Sequence, residues 1–211
     1  MILPKLCAIV DELTSARHGW GVCELARRYL EGGARWLQIR VSGATSGDYL
    51  SNCERIIEDA ATFGAKVIVN NRLDIAALSG AAGVHIGQSD IPATFVRGLL
   101  RPNSILGLST HTQDEIKDAA TAPVDYVAVG PVFQTTTKET GCQATGPQLL
   151  GYASEISPVR PLVAIGGITL DRTPEVIAAG ATNVAVISDL LRGDPERRVA
   201  DYISVLDGLE K

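Results

Sequence analysis

Eight short apolar runs, each followed by a segment of helical character, constrain this chain more than any other feature in it. They fall at 6–10, 36–40, 66–70, 83–86, 105–108, 126–129, 162–165 and 184–187. The runs are continuous rather than alternating, which is the pattern of parallel strands covered on both faces. The segments between them repeat at helical spacing. In 21–31, Val22, Leu25, Ala26 and Tyr29 share one side, and in 46–64 Tyr49, Leu50, Cys53, Ile56, Ile57 and Ala60 do the same. Thr112-Gln-Asp-Glu115 is a capping box that opens a helix over 112–120. Thr173-Pro174 and Asp194-Pro195 each place an N-cap residue before a proline, starting the last two helices. No Pro/Ser-rich linker or low-complexity segment divides the chain, so residues 1–211 read as one domain. Strand–helix alternation repeated eight times predicts an α/β fold, a single closed (β/α)8 TIM barrel. An open doubly wound sheet fits less well, because no GxGxxG follows the first run.

Charge and cysteine content exclude several classes of function. The net charge is −5, and the 19 basic residues are scattered, with Arg27-Arg28 and Arg197-Arg198 the main pairs. That is no nucleic-acid footprint. No apolar run approaches the about 18 to 20 residues needed to cross a bilayer, so no membrane partner is expected. Cys7, Cys23, Cys53 and Cys142 form neither CxxC nor a zinc pattern, and no secretory apolar segment opens the chain. A reduced, cytoplasmic protein is the expectation.

In a barrel of this kind, ligands meet the C-terminal ends of the strands and the loops just after them. Strand two ends Gln38-Ile39-Arg40; alternation sends Gln38 and Arg40 to one side, where Arg40 could fork onto a phosphate or close a salt bridge across the barrel. Strand three ends Asn70-Asn71-Arg72, with Asp74 within reach of Arg72. After strand four, Asp90 is either a ligand for a hard cation or the N-cap of a helix from Ile91. Strand five leads to Ser109 and His111, the latter an acid/base candidate or a hydrogen-bonded residue of the helix cap. His18 and His85 have no partner pattern and receive no role. Strand six runs into Gly130-Pro-Val-Phe-Gln-Thr-Thr-Thr-Lys138, whose hydroxyls and ammonium suit a phosphorylated ligand. Gly166-Gly167 after strand seven lets backbone N–H groups approach an anion, and a short helix at 188–191 would point its N-terminus at the same place.

Taken together, these segments closely resemble the thiamine-phosphate synthase family. The resemblance rests on Gln38-x-Arg40, Val69-Asn70-x-Arg72-x-Asp74, Gly83-Val-His-Ile-Gly-Gln-Ser-Asp90, Gly107-Leu-Ser109-x-His111, Gly130-Pro-Val-Phe-x-Thr135-x-Thr137-Lys138 and Ala164-Ile-Gly-Gly-Ile-Thr169. It implies a transferase that joins hydroxymethylpyrimidine diphosphate to a thiazole phosphate, with Mg²⁺ as cofactor, small phosphorylated heterocycles as partners and a possible homodimer. It implies that Gln38, Arg40, Asn70, Ser109 and Lys138 face the pyrimidine diphosphate, with Arg40, Lys138 and Ser109 carrying the catalysis. Thr135, Thr137, Gly167, Ile187 and Ser188 would hold the thiazole phosphate, and Asp90 with Asn71 would face the metal. Two positions depart from the family pattern. Ser42 stands where a lysine is usual, and Asn71 where an aspartate is usual. These departures admit a second reading, a related thiazole tautomerase that binds the thiazole phosphate and transfers nothing.

Overall fold

The computed structural model describes residues 2–135, 143–157 and 159–209. Eight parallel strands close into a barrel in chain order: β1 (Leu6–Asp11), β2 (Trp36–Arg40), β3 (Lys66–Asn70), β4 (Gly83–Ile86), β5 (Ile105–Thr110), β6 (Tyr126–Val129), β7 (Leu162–Ile165) and β8 (Asn183–Val186), with β8 pairing back onto β1. The expected α/β barrel is therefore the fold observed. Most strand ends match the sequence reading. β5 runs two residues further than expected, which places Ser109 inside the strand, and β8 lies one residue earlier, which leaves Ile187 just beyond it.

Alternation along each strand divides the apolar residues into two cores. Residues facing outward, such as Leu37, Ile39, Val67, Val69, Val84 and Leu106, pack with the helices. Residues facing inward, including Cys7, Ile9, Trp36, Ile68, Ile105, Tyr126 and Val163, fill the barrel itself. Trp36 and Tyr126 meet edge to face at 5.1 Å, which contributes about 1 kcal/mol beyond burial alone. Bulky side chains therefore close the N-terminal part of the barrel. Towards the C-terminal mouth the inward positions become Gln38, Arg40, Asn70, His85 and Ser109, and the filling stops.

The helices start where capping chemistry allows. Thr112 Oγ1 accepts from Glu115 N, opening the helix Gln113–Thr121, and Asp194 Oδ1 accepts from Arg197 N ahead of Pro195–Gly208. Thr173 does not cap its helix. A 3₁₀ turn, Leu170–Arg172, precedes it, the cap is Arg172, and the Thr173 hydroxyl donates to the Thr169 carbonyl instead.

Candidate active site

The C-terminal mouth of the barrel is a single chamber. Gln38 and Arg40 from β2, Asn70 from β3, His85 from β4, Ser109 and His111 from β5 and its loop, Gly130 and Thr135 after β6, Gly166 and Gly167 after β7, and Ile187 and Ser188 after β8 all line it. Chain order places these residues far apart, and barrel closure brings β2 within one chamber of β7.

Arg40 is mostly buried and is held by a partner the sequence reading did not identify. Its Nη1 donates to Asp11 Oδ2 at 2.5 Å, and the Asp11 side chain is 1% exposed. The other oxygen of Asp11 accepts from Thr14 N at 2.9 Å and from the Thr14 hydroxyl at 2.5 Å. Asp11 thus caps the helix Glu12–Arg17 and anchors the guanidinium at once. The anchor takes one guanidinium nitrogen and leaves a fork of further donors at the chamber wall. Arg40 makes the salt bridge that the sequence admitted, across β1 and β2, and it also lines the chamber.

Gln38 is 5% exposed. Burial holds the Tyr126 phenol well above its ordinary range, so it keeps its proton. His85, left without a role from sequence, lies across the chamber floor. Its Nδ1 is 2.8 Å from Tyr126 Oη and its Nε2 is 2.8 Å from Ser109 Oγ. Tyr49 donates to the Ile39 carbonyl at 2.9 Å and fixes the end of β2 from outside.

The acidic and polar loops after β3 and β4 sit beside the chamber rather than in its wall. Asp90 Oδ2 accepts from Gly87 N at 2.7 Å and closes the turn after β4. It does not cap a helix: the next one is Ala93–Leu99, with Pro92 at its cap. Asn71 follows β3 at φ 62°, a left-handed conformation that Asn and Asp tolerate better than other side chains, and its N–H donates to the His85 carbonyl. Arg72 is spent on Asp74, with Nε–Oδ1 at 2.8 Å. Ser42, exposed, turns its backbone N–H to Glu12 Oε2 at 2.9 Å. Among the described residues, no three His, Cys, Asp or Glu side chains gather as a metal cluster. Asn71 directly follows β3 and Asp90 lies in the loop after β4; a carboxylate and a carboxamide are donors of the kind Mg²⁺ takes together with substrate phosphates.

On the opposite side the wall is made largely of backbone. Gly166 and Gly167 have φ of 94° and 64°. A Cβ on Gly166 would lie 2.5 Å from Pro131 Cα, and one on Gly167 would lie 2.6 Å from the Gln134 carbonyl and 2.8 Å from Phe133 Cβ. Only glycine fits both the conformation and the space. Val132 N and Phe133 N donate to the carbonyls of Ile165 and Gly166, so the loops after β6 and β7 form one unit. Arg172 clamps that unit from outside, with its guanidinium 4.5 Å from the Phe133 ring and Nη1 on the Gly167 carbonyl. After β8, Ser188 opens the short 3₁₀ helix Ser188–Leu191 anticipated from sequence. Asp189 in that helix is buried; its Oδ2 accepts from Leu170 N, Arg198 Nη2 and Tyr202 Oη, tying the loops after β7 and β8 to the last helix.

His111 lines the chamber while its Nδ1 and backbone N–H both engage Glu115 Oε2. Thr137 and Lys138, singled out in the sequence, lie outside the described residues.

A parallel eight-stranded barrel with arginine, hydroxyl and glycine-turn groups around one mouth defines the class of phosphate-handling (β/α)8 enzymes. Residues 6–190 match the family model described as thiamine monophosphate synthase, and the chain belongs to that family. A relative named thiamine-phosphate synthase from Chlorobium phaeovibrioides is 40% identical over 197 residues, covering 93% of this chain and 90% of its own. One of the same name from Chlorobium luteolum is 35% identical over 205 residues, with 97% and 93% covered. Among solved structures, a thiamine phosphate pyrophosphorylase from Pyrococcus furiosus superposes with a TM-score of 0.88 at 28% identity, covering 99% of this chain and 98% of that one.

Proposed function

We propose that this chain is a transferase that joins hydroxymethylpyrimidine diphosphate to hydroxyethylthiazole phosphate, or to its carboxylated form, giving thiamine phosphate and pyrophosphate. The observation that carries this reading is that Arg40, Ser109 and Gly167 open on one chamber in a chain of the thiamine monophosphate synthase family. The C–O bond between the pyrimidine methylene and the diphosphate breaks first, and its electron pair leaves with pyrophosphate. The electron-rich aminopyrimidine stabilises the methylene cation. The thiazole nitrogen then donates its lone pair and forms the new C–N bond.

Such a reaction needs positive charge on the departing diphosphate more than it needs a strong base. Arg40 supplies it from the wall, held in place by Asp11, and the ammonium of Lys138, outside the described residues, would add to it. Gln38, Asn70 and Ser109 orient the pyrimidine. Thr135, Thr137, Gly167, Ile187 and Ser188 hold the thiazole phosphate. Asp90 and Asn71 would hold Mg²⁺ together with the diphosphate, and the ion would neutralise charge on the leaving group. Asn71 offers only a neutral carbonyl, so the ion would draw most of its ligands from the substrate.

No helix of the described residues is long and apolar enough to cross a membrane. We place the reaction in a reduced cytoplasm, in keeping with free Cys7, Cys23 and Cys53. A homodimer is proposed as well. What supports it is the exposure of Phe95 and Leu99 on one helix, 68% and 69%, and sedimentation would decide it.

The test is pyrophosphate release from the two substrates with Mg²⁺. Release that requires both substrates, and that falls in Asp90→Ala and Lys138→Ala, is expected. Thiazole phosphate binding without any release, followed by interconversion of thiazole tautomers, would support the isomerase reading instead.

A further inference from the structure

The chamber floor holds a hydrogen-bonded chain, two of whose members, Tyr126 and His85, have no part in the reaction above. It runs from Tyr126 on β6 through His85 on β4 to Ser109 on β5. Register explains how it can form. His85 pairs with Gly107, and Gly107 pairs with Tyr126, so the three sit side by side across β4, β5 and β6. A Cβ on Gly107 would fall 2.0 Å from Tyr126 Cζ and 2.3 Å from its hydroxyl. The missing side chain is therefore what lets the phenol reach over β5 to the imidazole. The two rings stack at 5.5 Å with 23° between their planes.

Counting donors gives the chain a direction. Tyr126 is 1% exposed and has one proton to give. Burial holds the phenol well above its ordinary range, so the proton stays on Oη and needs an acceptor. The acceptor within reach is His85 Nδ1, at 2.8 Å. With Nδ1 accepting, the ring carries its proton on Nε2, which lies 2.8 Å from Ser109 Oγ.

We propose that His85 is a positioning residue, held by Tyr126 as the Nε2–H tautomer, which donates to Ser109 Oγ and leaves the serine's own proton for an acceptor on the pyrimidine substrate. The substrate in this statement rests on the function proposed above; the tautomer does not. The opposite direction would spend the serine's proton on His85, leave Ser109 an acceptor, and favour a donor rather than an acceptor edge of a heteroaromatic ring. Gly107 and Tyr126 thereby become specificity residues, although neither need touch substrate.

The full chain labelled with ¹⁵N-histidine tests this, with His85 assigned from the spectrum that remains after His18→Gln and His111→Gln. The expected pattern is a protonated Nε2 and a bare Nδ1. A protonated Nδ1, alone or with Nε2, overturns the proposal. In turnover, Tyr126→Phe removes one hydroxyl and should mix the tautomers. Its kcat should fall about tenfold, with KM for the thiazole phosphate unchanged. His85→Gln, whose carboxamide accepts from Tyr126 and donates to Ser109, should retain more kcat than His85→Leu. Wild-type kcat in both Tyr126→Phe and His85→Leu overturns the positioning role. Should the wild type release no pyrophosphate while the ring nitrogens show the expected pattern, the reaction assigned above fails and the tautomer stands.

Discussion

The two sides of the chamber mouth are made of different material. From β2 to β5 the wall consists of side chains: Gln38, Arg40, Asn70, His85 and Ser109. From β6 to β8 it is mostly main chain, with Gly130, Gly166, Gly167 and the start of the Ser188–Leu191 turn. A side-chain wall can be retuned one residue at a time, and the loops beside it carry Ser42 and Asn71 where the resemblance to the family implies charged groups. A backbone wall offers nothing to trim. It is altered only by adding atoms where glycine leaves none, and the tight contacts around Gly166 and Gly167 leave no space for them. The two proposed substrates therefore face unequal constraints: the diphosphate side can drift in strength, while the thiazole phosphate side is kept or lost as a whole.

The comparison can be broken most sharply at Arg40. Arg40→Ala should lower kcat by about 10²- to 10³-fold, the cost of removing a preorganised charge from a developing anion. It should also lower the melting temperature, because Asp11 stays buried without its counter-charge, a loss of about 3 kcal/mol or more. Asp11→Asn added to Arg40→Ala should recover stability and not turnover. Recovery of both would mean Arg40 serves the fold alone. Next comes Gly167→Val, which forces a β-branched residue into a left-handed conformation at a cost of about 1–3 kcal/mol. Thiazole phosphate affinity, measured by calorimetry, should fall at least about tenfold while pyrimidine diphosphate affinity holds. Equal losses for both ligands would erase the distinction between the two sides. Ser188→Ala should weaken thiazole phosphate binding about two- to tenfold, the range of one hydrogen bond. Smallest is the double change Ser42→Lys with Asn71→Asp. A several-fold gain in pyrophosphate release is expected, at unchanged thiazole affinity. Asp suits the left-handed backbone at position 71 as well as Asn does. No gain would mean that these departures do not weaken the diphosphate side.

Much of this arrangement was legible before any coordinates. Continuous apolar runs gave the strands, and two-residue alternation put Gln38 and Arg40 on one side with Ile39 on the other. Gly166-Gly167 was readable because few other sequences permit a backbone approach after a strand. What stayed hidden depends on register between strands distant in sequence. Asp11 looked like a residue just past a strand ending at Val10, and nothing local links it to Arg40. His85 and Tyr126 are 41 residues apart, and their contact exists only because Gly107 between them is bare. Asp90 reads from the sequence as a cation ligand or a helix N-cap; Pro92 takes the cap, and the engagement of Asp90 with Gly87 N required the loop geometry. Thr173 failed as a cap because a 3₁₀ turn ahead of it supplies the first bonds of the helix.

All of this depends on both walls serving one reaction in one space. The most direct measurement is an electron-density map of the chain soaked with thiamine phosphate and pyrophosphate in the presence of Mg²⁺. The product should span the chamber, with its phosphate against Gly167 and Ser188, its pyrimidine ring over Gln38 and Ser109, and pyrophosphate beside Arg40. Product bound away from this mouth, or a phosphate seated beside Gly167 with the pyrimidine turned out to solvent, would contradict the account.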